Sequence, residues 1–400
     1  MTDREAGDAL GRTGVTVRAA GPDDTVAGVT PRWVALPETV EEISSIMRVA
    51  AEHDLAVVPT GGGTKLHWGR PPERCDLLLD MCCMGEVLEH AAGDMVVRVR
   101  AGATMEALAE TLARQGQELA LDVPVEGATV GGTLATATAG PRRFRYGTAR
   151  DLLIGITVVL ADGTIARSGG KVVKNVAGYD LGKLFTGSHG TLGVIAEATF
   201  RLHPIPAQRR WATIAFPSPA GEADRIASLA GVLAASQAEP AAIELDWSGP
   251  DGPASLVALV EGGAADARAA ALPATVADTP PPWWGRLPAD DHLLELRFPP
   301  AALAAVLRAA GAPGVRIRGA AASGVLHVAA PADGFADYVR RLREELEPHG
   351  GRVVVIAAPY DVTDKLDPWG AVGALALMRR VKEQFDPGRR LSPGRFVGGI

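Results

Sequence analysis

The sequence predicts an α+β protein of two domains, and three observations carry that reading. Its 400 residues exceed what one hydrophobic core usually organises, since cores stop growing near roughly 250–300 residues. In the first half, short apolar runs alternate with dense glycine clusters. After Pro204 and Pro206 the pattern changes, and a β-α-β-β order occurs twice.

The elements follow in order. Residues 1–27 are polar, Gly-rich and without periodicity, and read as a loose lead-in. After Pro37, Val40, Ile43, Met47 and Ala50 line one helix face, with Glu41, Glu42 and Glu52 off it. Leu55–Pro59 reads as a buried strand that runs into Thr60-Gly61-Gly62-Gly63-Thr64-Lys65. Strands follow at 77–79 and 96–99. Thr104 caps a helix over Met105, Leu108 and Leu112 that stops at Gly116. A second cluster, Gly127-Ala128-Thr129-Val130-Gly131-Gly132, opens a stretch of small residues that runs to Gly140. Strands over 152–160 and 164–166 are joined at Asp162-Gly163. The third cluster holds Gly169-Gly170, Gly178 and Gly187-Ser188-His189-Gly190-Thr191-Leu192-Gly193, ahead of a strand over 194–202.

The domain boundary is placed at Pro204 and Pro206, giving a first domain over 28–206 and a second over 207–400. In the second, strands are expected at 211–216, 243–246, 256–260, 293–297, 315–318, 325–328 and 352–356. Helices are expected at 219–236, 300–310, 332–348 and 371–384. They read as two similar sheet units with helices on one face.

Composition narrows the function. Apolar residues make up 47% and charged residues 22% of the chain, which is the balance of a globular protein and not of a disordered one. A net charge of −7 argues against a phosphate-backbone binder, and no basic face with aromatic platforms suggests nucleic acid. No apolar run is long enough to span a bilayer, and the first residues lack the apolar core of a secretory signal. A cytoplasmic protein is expected, touching a membrane only through partners. The three cysteines, Cys75, Cys82 and Cys83, offer neither a disulfide framework nor CxxC spacing.

Glycine admits positive φ and lets a ligand reach the amides with no Cβ in the way. The first cluster therefore reads as a nest of N–H groups for an anion, or as a plain tight loop. It is not a Walker A loop, because Leu66 follows Lys65. Nor is it a Rossmann fingerprint, whose last glycine falls on Leu66. In the second cluster, Gly131 and Gly132 stand at the start of a small-residue helix, where free N–H groups suit a pyrophosphate; close packing on a sheet demands small residues too. Two such clusters about seventy residues apart are best explained by one long anionic ligand, and a dinucleotide is of that kind.

At this point a family resemblance enters. The segments PTGGGTKL (59–66), GATVGG…G (127–140), RYGTARDLLIGITVVLADG (145–163) and GYDLGKLFTGSHGTLGVIAEATFRLHP (178–204) resemble the FAD-binding domain of the vanillyl-alcohol oxidase and p-cresol methylhydroxylase (PCMH-type) family. The tail FDPGRRLSPGRFVGGI (385–400) resembles the end of FAD-linked 2-hydroxy-acid oxidases, in particular the FAD-binding subunits of bacterial glycolate oxidases. The resemblance implies a two-subdomain FAD-binding domain followed by an FAD-linked oxidase C-terminal domain with ferredoxin-like sheet units. It also implies FAD as cofactor and a small 2-hydroxy acid as substrate. The implied partners are a catalytic flavoprotein subunit and an iron–sulfur subunit of a glycolate-oxidase-like complex.

The same resemblance assigns the pieces. Thr60, Gly61, Gly62, Gly63, Thr64, Lys65 and Leu66 would hold the pyrophosphate through main-chain N–H groups, together with Gly127, Ala128, Thr129, Gly131 and Gly132. Ala135, Thr136, Gly140, Tyr146 and Gly147 would approach the ribityl chain and ring. Gly190, Gly193, Val194 and Ile195 would bind the adenosine side or the ring edge. Pro393, Gly394 and Arg395 would bring the tail toward the flavin. Departures from the family pattern are Thr138 and Ala139 before Gly140, and Ser392 where relatives carry Asn. Some relatives tether FAD through a His in the first loop; here Thr64 and Lys65 occupy that stretch and His67 lies beyond it, so a non-covalent cofactor is expected.

Acid–base chemistry is less legible. Oxidation of a 2-hydroxy acid needs a cation for the carboxylate, a base for the hydroxyl proton and C2–H aimed at the flavin. His292, His327 and His349 are far apart and show no metal-ligand spacing. No catalytic residue is assigned. His189 lies inside the third glycine cluster near the expected flavin and reads either as part of that site or as a solvent-facing loop residue, and Cys82-Cys83 read as buried small apolar residues. Arg142, Arg143 and Arg145 read either as a carboxylate- or flavin-holding group or as a solvated basic loop. The sparse acid–base equipment favours a subunit over a self-sufficient dehydrogenase or a flavin-holding scaffold.

Overall fold

The structure is a computed structural model that describes residues 3–171, 179–217, 221–250, 252–289, 291–363 and 365–400. Gly178, singled out above, lies outside them. The chain divides into two compact units. One comprises Met1–Thr138, Thr148–Pro204 and Ala371–Ile400; the other comprises Ala139–Gly147 and Ile205–Gly370.

The first unit holds two sheets. In the smaller, β1 (Thr16–Ala19), β2 (Trp33–Leu36), β3 (Val57–Thr60) and β4 (Leu77–Asp80) lie in the order β1-β2-β4-β3. Here β4 runs parallel to both β2 and β3. Parallel strands need a crossover, which the helix Val40–Glu52 supplies. The Thr39 side chain accepts the Glu42 N–H at its start, and Ile43, Ile46, Met47 and Ala50 are fully buried along its inner face. Residues 1–27, expected as a loose lead-in, instead form the helix Asp3–Gly11 and the edge strand β1. Leu10 and Val26 are fully buried; four strand residues held by the β1–β2 ladder are too short for periodicity to reveal.

The larger sheet is antiparallel. Its strands are β5 (Val87–Ala91), β6 (Val96–Arg100), β8 (Leu153–Val159), β9 (Ile165–Gly169) and β10 (Val194–Arg201), in the order β5-β6-β10-β8-β9. Two short strands, β7 (Gln117–Glu118) and β11 (His203–Pro204), pair separately.

The expected second domain ran from 207 to the C-terminus, but residues 371–400 belong to the first unit. The cause is a set of buried polar bonds. From the helix Leu375–Phe385, Lys382 donates to the carbonyls of Thr191 (2.8 Å) and Leu391 (2.9 Å) and to Asp386 Oδ2 (2.7 Å). Asp386 is fully buried and also accepts the N–H groups of Arg390 and Leu391. Beyond it the tail lies along β3: Val57 N–H donates to the Arg390 carbonyl (2.7 Å) and Ser392 N–H to the Val57 carbonyl (2.9 Å). Burial lowers the Lys382 pKa, against the pull of Asp386.

In the second unit one antiparallel sheet carries everything. Its strands are β12 (Arg209–Phe216), β13 (Ala242–Trp247), β14 (Ala254–Glu261), β15 (Thr275–Ala277), β16 (Leu293–Arg297), β17 (Arg316–Ala320), β18 (Val325–Ala329) and β19 (Arg352–Ala357). The order is β15-β12-β14-β13-β17-β18-β16-β19. The two β-α-β-β units are present, but pairing of β13 with β17 fuses them into one sheet. The helices Ala223–Ala234, Leu303–Ala310 and Phe335–Leu346 share a single core with the strands, through Ile226, Leu233, Val306, Leu307, Val339 and Leu342. A separate cluster holds Trp211, Ala242, Val257 and Leu259, with Tyr146, Trp283 and Trp284 against it. Among the described residues no helix is long and apolar enough to cross a membrane.

The Lys382–Asp386 pair yields a prediction. Asp386→Ala strands a buried ammonium and two N–H groups, and is expected to cost about 3–5 kcal/mol in urea unfolding of the first unit. A loss below about 1 kcal/mol would mean that the pair does not hold the tail.

Candidate functional site

The site grows from the end of β3. Thr60 accepts the Met81 N–H through its carbonyl (2.9 Å), and the chain then turns through Gly61, Gly62 and Gly63. Here glycine is obligatory. A Cβ on Gly62 would fall on the Gly127 carbonyl, and one on Gly61 would fall on the Thr129 hydroxyl. The two loops thus touch backbone to backbone. Among the described residues, the N–H groups of Gly61, Gly62, Gly63, Thr64 and Lys65 find no protein acceptor. Five consecutive donors without a protein acceptor, on residues that line a cavity, form a nest suited to an anion.

The cavity is an open cleft of about 840 Å³, part of it solvent space, and its lining lies wholly within the first unit. The whole first loop, Thr60–Leu66, lines it. So do Thr129, Gly131, Gly132, Ala135 and Thr136 from the second segment and Gly190, Gly193 and Ile195 from the third. Gly127, Ala128 and Val194 do not line it; Ala128 and Val194 are fully buried in the packing behind it.

The second segment does not act as expected. Its N–H groups are spent on the protein: Val130 on the Ala103 carbonyl (2.9 Å), Gly131 on the Ala101 carbonyl (2.8 Å) and Gly132 on the Thr129 hydroxyl (3.2 Å). Thr129 caps the helix Val130–Thr136, so the helix start is closed to a pyrophosphate. Gly131 is needed for close packing, since a Cβ there would lie 2.9 Å from the Ala101 Cβ. These residues contribute to the wall, and the unspent donors are those of the first loop.

The third segment is fastened to that wall. Gly187 N–H donates to the Leu134 carbonyl and His189 N–H to the Ala135 carbonyl, each at 2.9 Å. His189 does not face solvent as an ordinary loop residue: it lines the cavity, stacks on Phe396 at 5.1 Å and adopts a left-handed φ of 53°.

Six lining residues were not assigned to the site from sequence, Val58, Pro59, Met81, Ala101, His189 and Ser392, whereas Arg395 is the tail residue that the sequence places near the flavin. Met81 and Ala101 sit beside β4 and β6 and look like ordinary core residues. Ser392 and Arg395 come from the tail, and the tail motif was their signal. Arg395 is 6% exposed. Its Nη2 donates to the carbonyls of Leu66 and Trp68, each at 2.8 Å, while the buried Nη1 has no partner. Burial pushes its pKa down to about 10. Lys65 is also buried, which pushes its ammonium down to about 8 against the opposing charge of Glu106.

Gly140, Tyr146 and Gly147 belong to the second unit. The Tyr146 hydroxyl donates to Glu261 (3.0 Å), and burial together with Glu261 pushes its pKa up to about 12. Glu261 also pairs with Arg209 (2.8 Å) and Arg142 (3.9 Å). Arg142 is 9% exposed, so neither it nor Glu261 belongs to a solvated basic loop. Arg143 donates to the carbonyls of Ala139 and Gly140.

Across β13, β17, β18 and β16, Asp246, Arg318, His327 and Glu295 stand in register. Arg318 meets Asp246 at 2.7 Å and His327 meets Glu295 at 3.7 Å. Burial pushes the Glu295 carboxyl up, but His327 and Arg297 outweigh it and hold it well below the usual carboxylate range. Cys82 and Cys83 are exposed, not buried, with sulfurs 3.6 Å apart in the turn after β4. No group of three or more His, Cys, Asp or Glu among the described residues could hold a metal.

Comparison with known proteins agrees with this geometry. Residues 31–169 match the FAD binding domain model, and residues 370–396 match the C-terminal domain model of FAD linked oxidases. The glycolate oxidase subunit GlcD of Bacillus subtilis is 35% identical over 211 residues, covering 48% of this chain and 45% of that protein. The D-lactate dehydrogenase of Archaeoglobus fulgidus is 39% identical over 205 residues, covering 50% and 46%. The matches span about half the length of these curated relatives. Among solved structures, a chitooligosaccharide oxidase superposes with a TM-score of 0.68 at 18% identity, covering 96% of this chain and 97% of that one. An alkyldihydroxyacetonephosphate synthase superposes with a TM-score of 0.68 at 18% identity, covering 91% and 76%. These likenesses show the fold. The cofactor is FAD, and the cavity fits it: a glycine cradle, unspent amides and two buried cations face a ligand whose middle is a diphosphate.

Two predictions follow from the loop. Gly62→Ala places a methyl on the Gly127 carbonyl and is expected to abolish flavin retention while far-ultraviolet circular dichroism stays unchanged; normal flavin content in that variant would contradict the loop geometry. The second concerns Lys65, whose pKa is about 8 in the fold against about 10.4 in an unfolded chain. Between those values the unfolded chain binds more protons, so apoprotein stability rises with pH across that window and the burial cost is fully present below it. Lys65→Met is expected to remove that rise, worth up to about 3 kcal/mol; identical pH profiles of unfolding in wild type and variant would contradict it.

Proposed function

We propose that this chain, a member of the FAD linked oxidases, oxidises a small 2-hydroxy acid of the glycolate or D-lactate class to the 2-oxo acid, with FAD held non-covalently. The single observation that carries the reading is the row of unspent amides at Gly61–Lys65 in a cavity lined by glycine. The names of the relatives, a glycolate oxidase subunit and a D-lactate dehydrogenase, support the substrate class. When bound, FAD would supply the hydride acceptor for C2 of the hydroxy acid, and the hydroxyl proton would be lost separately as the 2-oxo acid forms. The protein's part is to grip the diphosphate through main-chain N–H groups, to seat the nucleotide against the Gly131–Thr136 wall and to exclude water with the tail. His67 does not line the cavity, and Thr64 and Lys65 occupy the loop; this supports a cofactor without a histidyl tether.

We further propose that the chain works as the FAD-binding subunit of a glycolate-oxidase-like complex, beside a catalytic flavoprotein and an iron–sulfur protein. Its support is the paired state of the second unit's polar residues. His327 is beside Glu295, and Arg142 and Arg209 are beside Glu261, and no metal-holding cluster occurs among the described residues.

One experiment tests both proposals. The purified chain is expected to show a flavin spectrum that passes to the supernatant on acid precipitation. It is expected to reduce a dye with glycolate or D-lactate only when partner subunits are added. Flavin that stays with the precipitate contradicts non-covalent binding. Turnover by the lone chain contradicts the subunit role.

A further inference from the structure

The residues lining the cavity include two buried cations, Lys65 and Arg395, and no carboxylate. That is an unusual balance. Taking a cation out of water is expensive unless an opposite charge meets it. Among the described residues each other buried Arg or Lys has such a partner: Lys382 has Asp386, Arg318 has Asp246 and Arg142 has Glu261. Lys65 touches the Thr64 hydroxyl at 3.4 Å and lies over the Trp68 ring at 5.9 Å, and it feels the charge of Glu106 without closing an ion pair with it. Arg395 spends Nη2 on two carbonyls, which neutralise nothing, and keeps Nη1 without a partner. The carbonyls that hold it, those of Leu66 and Trp68, directly follow the loop whose five amides are unspent. These donors and charges line one cavity, and together they suit a compact anion of about two negative charges.

We propose that Lys65 and Arg395 form a two-cation seat for the diphosphate of FAD, which makes Arg395, from the C-terminal tail, a residue that selects the dinucleotide over uncharged flavins. This rests on FAD as the cofactor and not on the identity of the substrate. Its consequence is that the cofactor site is incomplete without the tail. The Lys382–Asp386 lock and the Ser392–Val57 bond place Arg395 over the loop, so cofactor affinity and tail docking stabilise each other. The guanidinium suits the role because its planar fork grips two carbonyls with one nitrogen and still presents another to a phosphate oxygen.

The test is a comparison of FAD and riboflavin binding to full-length apoprotein of wild type, R395Q, R395K and K65M, with unfolding temperatures recorded for each. R395Q and K65M are each expected to weaken FAD about 10- to 100-fold, the size of a lost charge-assisted hydrogen bond. Riboflavin, which has no phosphate, is expected to bind all four alike or none of them. R395K keeps the charge and loses the fork, and is expected to recover most of the FAD affinity lost in R395Q. The proposal is overturned if R395Q binds FAD as wild type does, if R395K is no better than R395Q, or if riboflavin weakens in step with FAD. A wild-type chain that binds no FAD overturns it together with the functional reading. Normal FAD selection without any hydroxy-acid turnover leaves this seat standing and removes only the substrate assignment.

Discussion

The site depends on a contact with no side chain in it. The loop after β3 lies so close to the second segment that Gly62 meets the Gly127 carbonyl and Gly61 meets the Thr129 hydroxyl. One methyl group at either place would part them. Within the first loop Leu66 N–H bonds back to the Gly63 carbonyl, while the donors from Gly61 to Lys65 find no protein acceptor among the described residues. The binding energy for an anion is therefore stored in the fold as hydrogen bonds not yet made, and little need be reorganised when the ligand arrives.

The same economy shows in how the two glycine segments divide their work. One spends no amides and takes charge; the other spends all of Val130, Gly131 and Gly132 on its neighbours and supplies shape. The helix that begins at Thr129 looks like an anion site only until its donors are counted. Tail and loop are joined by bonds of another kind, buried and charged, in Lys382, Asp386 and Arg395. A C-terminal segment remote in sequence thereby becomes part of the wall.

Much of this was legible in the residues. Strands and helices with a clear period, such as Val40–Glu52 and Val194–Arg201, needed no structure to be found. The cavity's loops were legible because glycine clusters have few other uses. Three things were not. The edge strand Thr16–Ala19 owes its existence to pairing, and pairing leaves no period in four residues. That 371–400 packs into the first unit was hidden because a buried Lys–Asp pair at i, i+4 resembles any surface pair until its burial is known. Met81 and Ala101 line the cavity only because strands end there, and nothing in their chemistry distinguishes them from core. Cys82-Cys83 were misplaced for the converse reason: whether a loop residue faces inward is decided by the neighbours that cover it.

The most direct measurement is a crystal structure of the chain with FAD bound. The account predicts diphosphate oxygens within hydrogen-bonding distance of the main-chain N–H groups between Gly61 and Lys65. A diphosphate seated instead at the start of the helix Val130–Thr136, with the first loop's amides left to water, would contradict it.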